Sequence, residues 1–337
     1  MDSKSSHGVT RPLEGWVVGI SVSKSDNLTE LGYELDDVNR VTVRLSEALL
    51  IAGARLVFGH DWRPDGVMDA ICRIAVRFQT TSKNCATEPL IRNLVTWPET
   101  PSLESELRDE LEKRGVLKIE TIRIPDNSWT SVTKNYVIAR GIALTDLRRR
   151  LATITHARVC LGGAEKRTEG FHAGVLEEAY NAAIKGCPVY VGEFLGGASE
   201  SLIAALRHPD IKQPSLEVGD RRKEEFDKVF NSPFRELLPE RDLTDGFNMH
   251  AMQAASGLDA DDWQRLLIAP DVESFSALVI RGLSKLPKPT ELPHDSESKP
   301  NTESQELLNP VQGQTTENVV QAQAAPVKKK APRKPPK

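Results

Sequence analysis

Gly162 and Gly163 follow an apolar run, Ala157 to Leu161, and precede a polar loop and a segment that opens a helix at about Gly174. That order sets backbone N–H groups and a helix N-terminus beside the carboxyl end of a strand, where phosphates and ribose rings are commonly held. Glu177 and Glu178 fall in the first turn or so of the helix. Neighbouring helical positions point about 100° apart, so at most one of the two acids faces the crevice. The alternative for both is to complement the helix dipole on a solvated face. Gly170 and Gly174 give the loop further conformational freedom, and Lys166 and Arg167 give it positive charge.

Other residues could join this chemistry from neighbouring elements. Ser21 and Ser23 end an apolar run, where their hydroxyls could meet phosphate or ribose oxygens or simply close a local turn. His60, Asp61 and Arg63 end the next apolar run and belong to the same edge. A His–Asp pair invites thought of a nucleophile triad, but the chain has no Gly-x-Ser-x-Gly elbow to complete one. Gly196 and Gly197 precede another helix and offer either a second set of N–H groups or a tight turn. Arg148, Arg149 and Arg150 precede the Ala157 run; at least one must face solvent, and one could bring its planar fork to a phosphate. His172, in the polar loop, reads as an exposed residue, with a ligand contact as the alternative.

The elements that would position these groups alternate regularly. Trp16–Val22, Ala54–Phe58, Leu90–Val95, Leu117–Ile124, Ala157–Leu161 and Pro188–Val191 read as strands. Between them, Leu35–Ala52 (capped by Gly53), a stretch from Pro64 or Asp65 to Phe78, Ser102–Arg114, Tyr136–Ile154, Gly174–Lys185 and Ser199–Arg207 read as helices. Alternation of this kind over residues 15–207 predicts an α/β fold, a doubly wound parallel sheet of Rossmann-like form with right-handed crossovers. Residues 1–13 read as a flexible arm, 14–210 as the nucleotide-binding domain, 211–286 as a helical extension and 287–337 as a disordered tail with a basic C-terminus. Within the extension, helices are expected near 224–229, 249–255, 260–267 and 272–283.

Bulk properties narrow the class. The chain has 337 residues, 39% of them hydrophobic and 27% charged, enough for a substantial core. Its formal net charge of −4 gives no general basic field, so nucleic acid is disfavoured as a partner except at the basic tip Lys328–Lys337. The four cysteines (Cys72, Cys85, Cys160, Cys187) form no CxxC pair, which fits a reducing cytoplasm and argues against disulfides and zinc. No metal or other cofactor is expected. The N-terminus lacks an apolar signal core, and no apolar run approaches the eighteen or so residues of a membrane span.

Together these residues resemble the SLOG superfamily, the Rossmann-like group that includes LOG phosphoribohydrolases, DprA and the N-terminal region of TRPM channels. LOG enzymes have an arginine helix, a strand, and then Pro-Gly-Gly-x-Gly-Thr-x-x-Glu; the parallel here is Leu161-Gly162-Gly163, a longer loop, and Gly174-Val175-Leu176-Glu177-Glu178. The resemblance places the family's catalytic glutamate on Glu178 and its arginine partner at or beside Arg148. Leu161 stands where LOG enzymes have proline, Val175 where they have threonine, and the loop from Ala164 to Ala173 is longer. The Gly-Phe-His-x-Gly-Val-x-Glu-Glu-Ala pattern looks closer to the TRPM-like prokaryotic branch. That likeness implies a sensor of a nucleotide or NAD-derived ligand in a bacterial stress or antiphage system, working through an effector protein partner or self-assembly as a homo-oligomer. The alternative is a LOG-like hydrolase that cleaves the N-glycosidic bond of a nucleotide.

Overall fold

The computed structural model describes residues 11–59, 67–79, 88–96, 105–122, 135–165, 169–211, 213–232 and 234–289. Six strands, β1 (Val17–Ser23), β2 (Arg55–Gly59), β3 (Ile91–Thr96), β4 (Leu117–Ile122), β5 (Ala157–Gly162) and β6 (Val189–Gly192), form one sheet in the order β4-β3-β2-β1-β5-β6. Every pairing is parallel. The chain runs outward from β1 to β4, then returns to lay β5 on the other side of β1. β1 and β5 therefore flank the topological switch point, outside whose carboxyl ends ligands bind in sheets of this type.

Helices α1 (Leu35–Ala52), α2 (Met68–Gln79), α3 (Ser105–Lys113), α4 (Tyr136–Thr153), α5 (Gly174–Ala183) and α6 (Gly197–Arg207) form the connections and the cover. The bounds of α1 follow from its ends. The Glu34 side chain accepts from the Asp37 N–H while the Asp37 carboxylate accepts from the Glu34 N–H, a reciprocal capping box. At the other end Gly53, with φ of 101°, donates to the carbonyls of Leu49 and Leu50. Each face of the sheet has its own core. Val17, Val57 and Leu94 meet Leu144, Leu147 and Leu151 of α4 on one side. Val18 and Ile20 belong to a larger core that takes in Val38, Leu45 and Leu49 of α1. Strands covered on both faces read as near-continuous apolar runs, and all of β5 is buried, including its one charged residue, Arg158.

Beyond α6 the chain makes short 3-10 turns and four further helices, α7 (Lys223–Phe230), α8 (Met249–Ala255), α9 (Ala260–Leu267) and α10 (Val272–Lys285). α9 lies against β6 and α10 against α1, and Trp263, Phe275 and Val279 join the main core. α7 and the 3-10 turn Arg235–Leu237 lie over α4 instead. Phe226, Val229, Val218 and Leu238 surround Phe171 together with Ile138 and Ile142. Of the N-terminal arm, Leu13 is buried and its N–H donates to Ala52 O at 2.8 Å. The expected tail with its basic tip, and the start of the helix expected from Pro64 or Asp65, lie outside the described residues. Among the described residues no helix is long and apolar enough to cross a membrane.

Candidate functional site

A crevice of about 340 Å³ opens at the carboxyl ends of β1 and β2, beside the switch point. Its walls carry Ser21 and Ser23 of β1, Arg140 and Arg148 of α4, the loop residue Glu169, and Gly174, Val175 and Glu178 of α5. Gly174 and Glu178 thus share one concavity with Arg148, while Gly162, Gly163, Gly196 and Gly197 are not part of its lining.

Glu178 is fixed from beneath. The Ser21 hydroxyl donates to Glu178 Oε2, and Arg158 Nη1 donates to the same oxygen at 3.0 Å and to Ser21 Oγ at 3.3 Å. Arg158 belongs to β5 and is wholly buried. Its register partner on β1 is Gly19, and a Cβ there would come within 2.4 Å of the guanidinium carbon. A strand glycine thus opens the lane along which an arginine crosses the sheet toward the crevice. Burying a guanidinium costs several kcal/mol unless it is paired and hydrogen-bonded. Here the pairing is only partial, since Arg158 Nε and Nη2 have no hydrogen-bond partner among the described residues. Both bonds to the carboxylate land on Oε2, so among the described residues Oε1 of Glu178 is the oxygen available to a ligand.

Arg148 has a different acid. Its Nη1 donates to Oε2 of Glu177, which is fully buried, so the adjacent glutamates serve two arginines on two sides of α5. The loop before α5 is shaped around this guanidinium. A Cβ on Gly170 would approach Arg148 Nη1 to 2.6 Å, and one on Gly174 would approach Nη2 to 2.9 Å. Phe171 fits over Gly141, where a Cβ would meet the ring at 2.9 Å. The pattern Gly170-Phe171-His172-Ala173-Gly174 is therefore a packing motif that seats the loop on α4. A third arginine, Arg140, stands two turns before Arg148, buried to 4% exposure, and its Nε and Nη2 reach Glu169 Oε2 at 3.3 and 2.9 Å. The other two members of the arginine run lie nearer the surface, and Arg149 donates to the carbonyls of Glu236, Leu237 and Leu238.

Two sequence expectations need correction. His172 is not exposed: its side chain is buried, with Nε2 2.7 Å from the Glu240 carbonyl oxygen. Burial is the main cause that lowers its pKa, against the opposing pull of Glu177. Its cover comes from a segment some seventy residues later, a contact that local polarity does not reveal. The N–H groups of Gly163, Gly196 and Gly197, expected beside the strand end as ligand donors, are already bonded within the protein. Gly163 donates to Ser23 O at 2.9 Å, Gly196 to Glu193 O at 2.7 Å and Gly197 to Asn27 Oδ1 at 3.1 Å. These glycines let three loops close on one another. His60 and Lys166 lie outside the described residues.

Arg158, Arg140 and Gly19 carry much of the site's geometry and went unread in the sequence. The available signal was a charged residue inside the otherwise apolar run Ala157–Leu161, which in a buried strand demands a partner. Cys160, two residues on, is pushed up to about 12 by burial and is a core thiol.

A six-stranded parallel sheet, helices on both faces and a polar crevice at the switch point define a Rossmann-like α/β domain. Residues 12–266 match the family model described as SLOG cluster2, and the chain belongs to the SLOG superfamily. That membership makes it a nucleotide-related binding or processing domain. No curated protein matches the chain.

Proposed function

We propose that the crevice binds a nucleotide or NAD-derived ligand, with the domain acting as a sensor in a bacterial stress or antiphage system. The observation that carries this reading is Glu178, a carboxylate anchored through one oxygen by Ser21 and Arg158 and standing in a wall that also holds Arg140 and Arg148. An anchored carboxylate suits a ribose diol, which offers two hydroxyl donors, and arginine forks suit a phosphate. The volume of about 340 Å³ lies at the low end for small-molecule sites, which favours a mononucleotide-sized ligand over an intact dinucleotide. Ser21 serves as the anchor of Glu178, Gly174 opens the helix facing the ligand, and Gly162, Gly163, Gly196 and Gly197 hold the loops that frame it. Ser23, His60 and Lys166 remain ligand-contact candidates in this reading, and signal output passes to an effector protein or a second copy of the chain in the cytoplasm.

The same geometry favours a second reading, cleavage of a nucleotide N-glycosidic bond. A carboxylate held beside the sugar stabilises positive charge developing on ribose or positions the attacking water, while Arg148 or Arg140 holds the phosphate. One experiment separates the two. The purified chain and Glu178→Gln are incubated with nucleoside monophosphates and NAD, and both free base and melting temperature are followed. A saturating ligand raises stability by about 2–4 kcal/mol. Binding without base release supports the sensor, and base release lost in Glu178→Gln supports the hydrolase. A panel that neither stabilises the chain nor is cleaved overturns both.

A further inference from the structure

The crevice has three arginines in or beneath its wall, and their counter-ions differ in one respect. Glu177, paired with Arg148, is 0% exposed, and Glu178, paired with Arg158, is 13% exposed. Glu169, paired with Arg140, is 69% exposed. Arg140 is itself almost as buried as the other two arginines, at 4%. Its cation is therefore fixed in the wall, while Glu169, an anion that answers it, stands largely in water on the loop before α5. Arg148 is packed against Gly170 and Gly174 and already answered by the buried Glu177, so its pairing is the harder of the two to exchange. Removing Glu177 or Glu178 from its arginine would strand a buried charge, at several kcal/mol. Removing Glu169 from Arg140 costs the carboxylate little, because it returns to solvent, and an entering anion takes its place on the buried guanidinium. Of the three, Arg140 is the cation whose partner can be exchanged.

We propose that Arg140 is the phosphate-binding group of the crevice and that Glu169 is its resident intramolecular anion, displaced when a phosphate monoester enters. This rests on the nucleotide reading for the identity of the natural ligand, but the exchange itself concerns any small phosphate. The bond geometry supports it: both Nε and Nη2 of Arg140 aim at one carboxylate oxygen, the side-on fork that a phosphate oxygen accepts equally well. Both residues line the crevice, with Glu178 of α5 in the same wall. Phosphate at Arg140 would thus be held in the concavity that presents the anchored carboxylate to a sugar. The price of entry is loss of the Arg140–Glu169 pair, so Glu169 sets a threshold on ligand concentration without contributing to the final complex.

The test uses the full chain, its Glu169→Gln, Arg140→Lys and Arg140→Met variants, and the Glu169→Gln/Arg140→Lys double variant. Each is titrated with inorganic phosphate by phosphorus NMR, and with adenosine monophosphate and adenosine by calorimetry. The expected result is that Glu169→Gln tightens phosphate and adenosine monophosphate by about three- to tenfold and leaves adenosine unchanged. Arg140→Lys, which keeps the charge and loses the fork, weakens both phosphate ligands, and the gain from Glu169→Gln disappears in the double variant. Arg140→Met is the stronger form of the same test wherever it folds. Unchanged or weaker phosphate binding in Glu169→Gln overturns the proposal, as does a gain that survives Arg140→Lys. The nucleotide reading fails separately: phosphate responding to Glu169 while adenosine monophosphate binds no better than phosphate would remove the nucleotide and keep the exchange. Adenosine monophosphate binding that ignores Glu169 would do the reverse.

Discussion

The two sides of the switch point solve different problems with different residues. On one side, where the loops after β1, β5 and β6 meet, the contacts run mostly through backbone groups, with Asp26, Asn27 and Glu165 adding side-chain acceptors. Gly163 donates to Ser23 O, Ala198 to Gly163 O, and Ser199 Oγ to Gly162 O at 3.0 Å. On the other side, under α4 and α5, the contacts are between charged side chains: Arg140 with Glu169, Arg148 with Glu177, and Arg158 with Glu178. Glycine-rich sequence marks where loops must approach closely, whereas the concavity lies among the ion pairs. In this chain the glycines frame a site and the arginines furnish it.

That contrast can be broken most forcefully on the charged side. Arg148→Met should lower unfolding free energy by about 3–5 kcal/mol, because Glu177 is left as a buried carboxylate without its cation. Adding Glu177→Gln should recover part of that loss in denaturant melts. A single variant as stable as the parent would mean that the pair contributes no net stability. On the glycine side, Gly162→Ala should cost roughly 2–4 kcal/mol from backbone strain and overlap. Its φ is 65° and its Cβ would lie 2.3 Å from Ser23 O, an oxygen already held by the Gly163 N–H. Wild-type stability in this variant would show that the loops can part without penalty.

Gly19→Ala joins the two sides of the argument and should have a smaller global effect, about 1–3 kcal/mol. The new methyl meets the movable end of Arg158, not backbone, so the guanidinium shifts and Glu178 loses its anchor. Ligand affinity at the crevice should fall more than stability does. Equal losses in both would make Arg158 merely structural. The smallest effect concerns acid. Burial lowers the His172 pKa, so the unfolded chain binds a proton that the folded chain resists. The His172 contribution is present above the ordinary histidine pKa of about 6.5 and is lost as pH falls below it. Melting temperature followed from pH 7.5 to 5 should decline less in His172→Gln than in the parent; parallel curves would contradict the assignment.

Element types were largely legible in the sequence because local rules govern them. Helix α1 runs from Leu35 to Ala52 with Gly53 as its cap, as apolar spacing and a terminal glycine imply, and β5 differs from its expected span by one residue. The mostly hydrophobic strands and intervening amphipathic helices also conveyed the α/β class. Strand order was not legible, since nothing local says that β5 returns to the far side of β1. The furnishing of the crevice was only partly so. Helical phase separates Glu177 from Glu178, but their arginines come from a different helix and a different strand. Arg158 looked like one polar letter in an apolar run until the register set Gly19 beside it. His172 looked solvated because the segment that covers it, at residues 217 and 240, is remote in sequence.

Phe171 gives this arrangement a mechanical consequence. Its ring is fully buried against Phe226, with centroids 5.5 Å apart, and its carbonyl accepts the Gly219 N–H at 3.0 Å. Glu169 sits only two positions upstream, so the loop that carries its carboxylate is pinned in a socket built by Val218, Phe226, Val229 and Leu238. Under the proposed exchange, displacement of Glu169 would load this flank over α4 before the α9–α10 flank, which packs against β6 and α1.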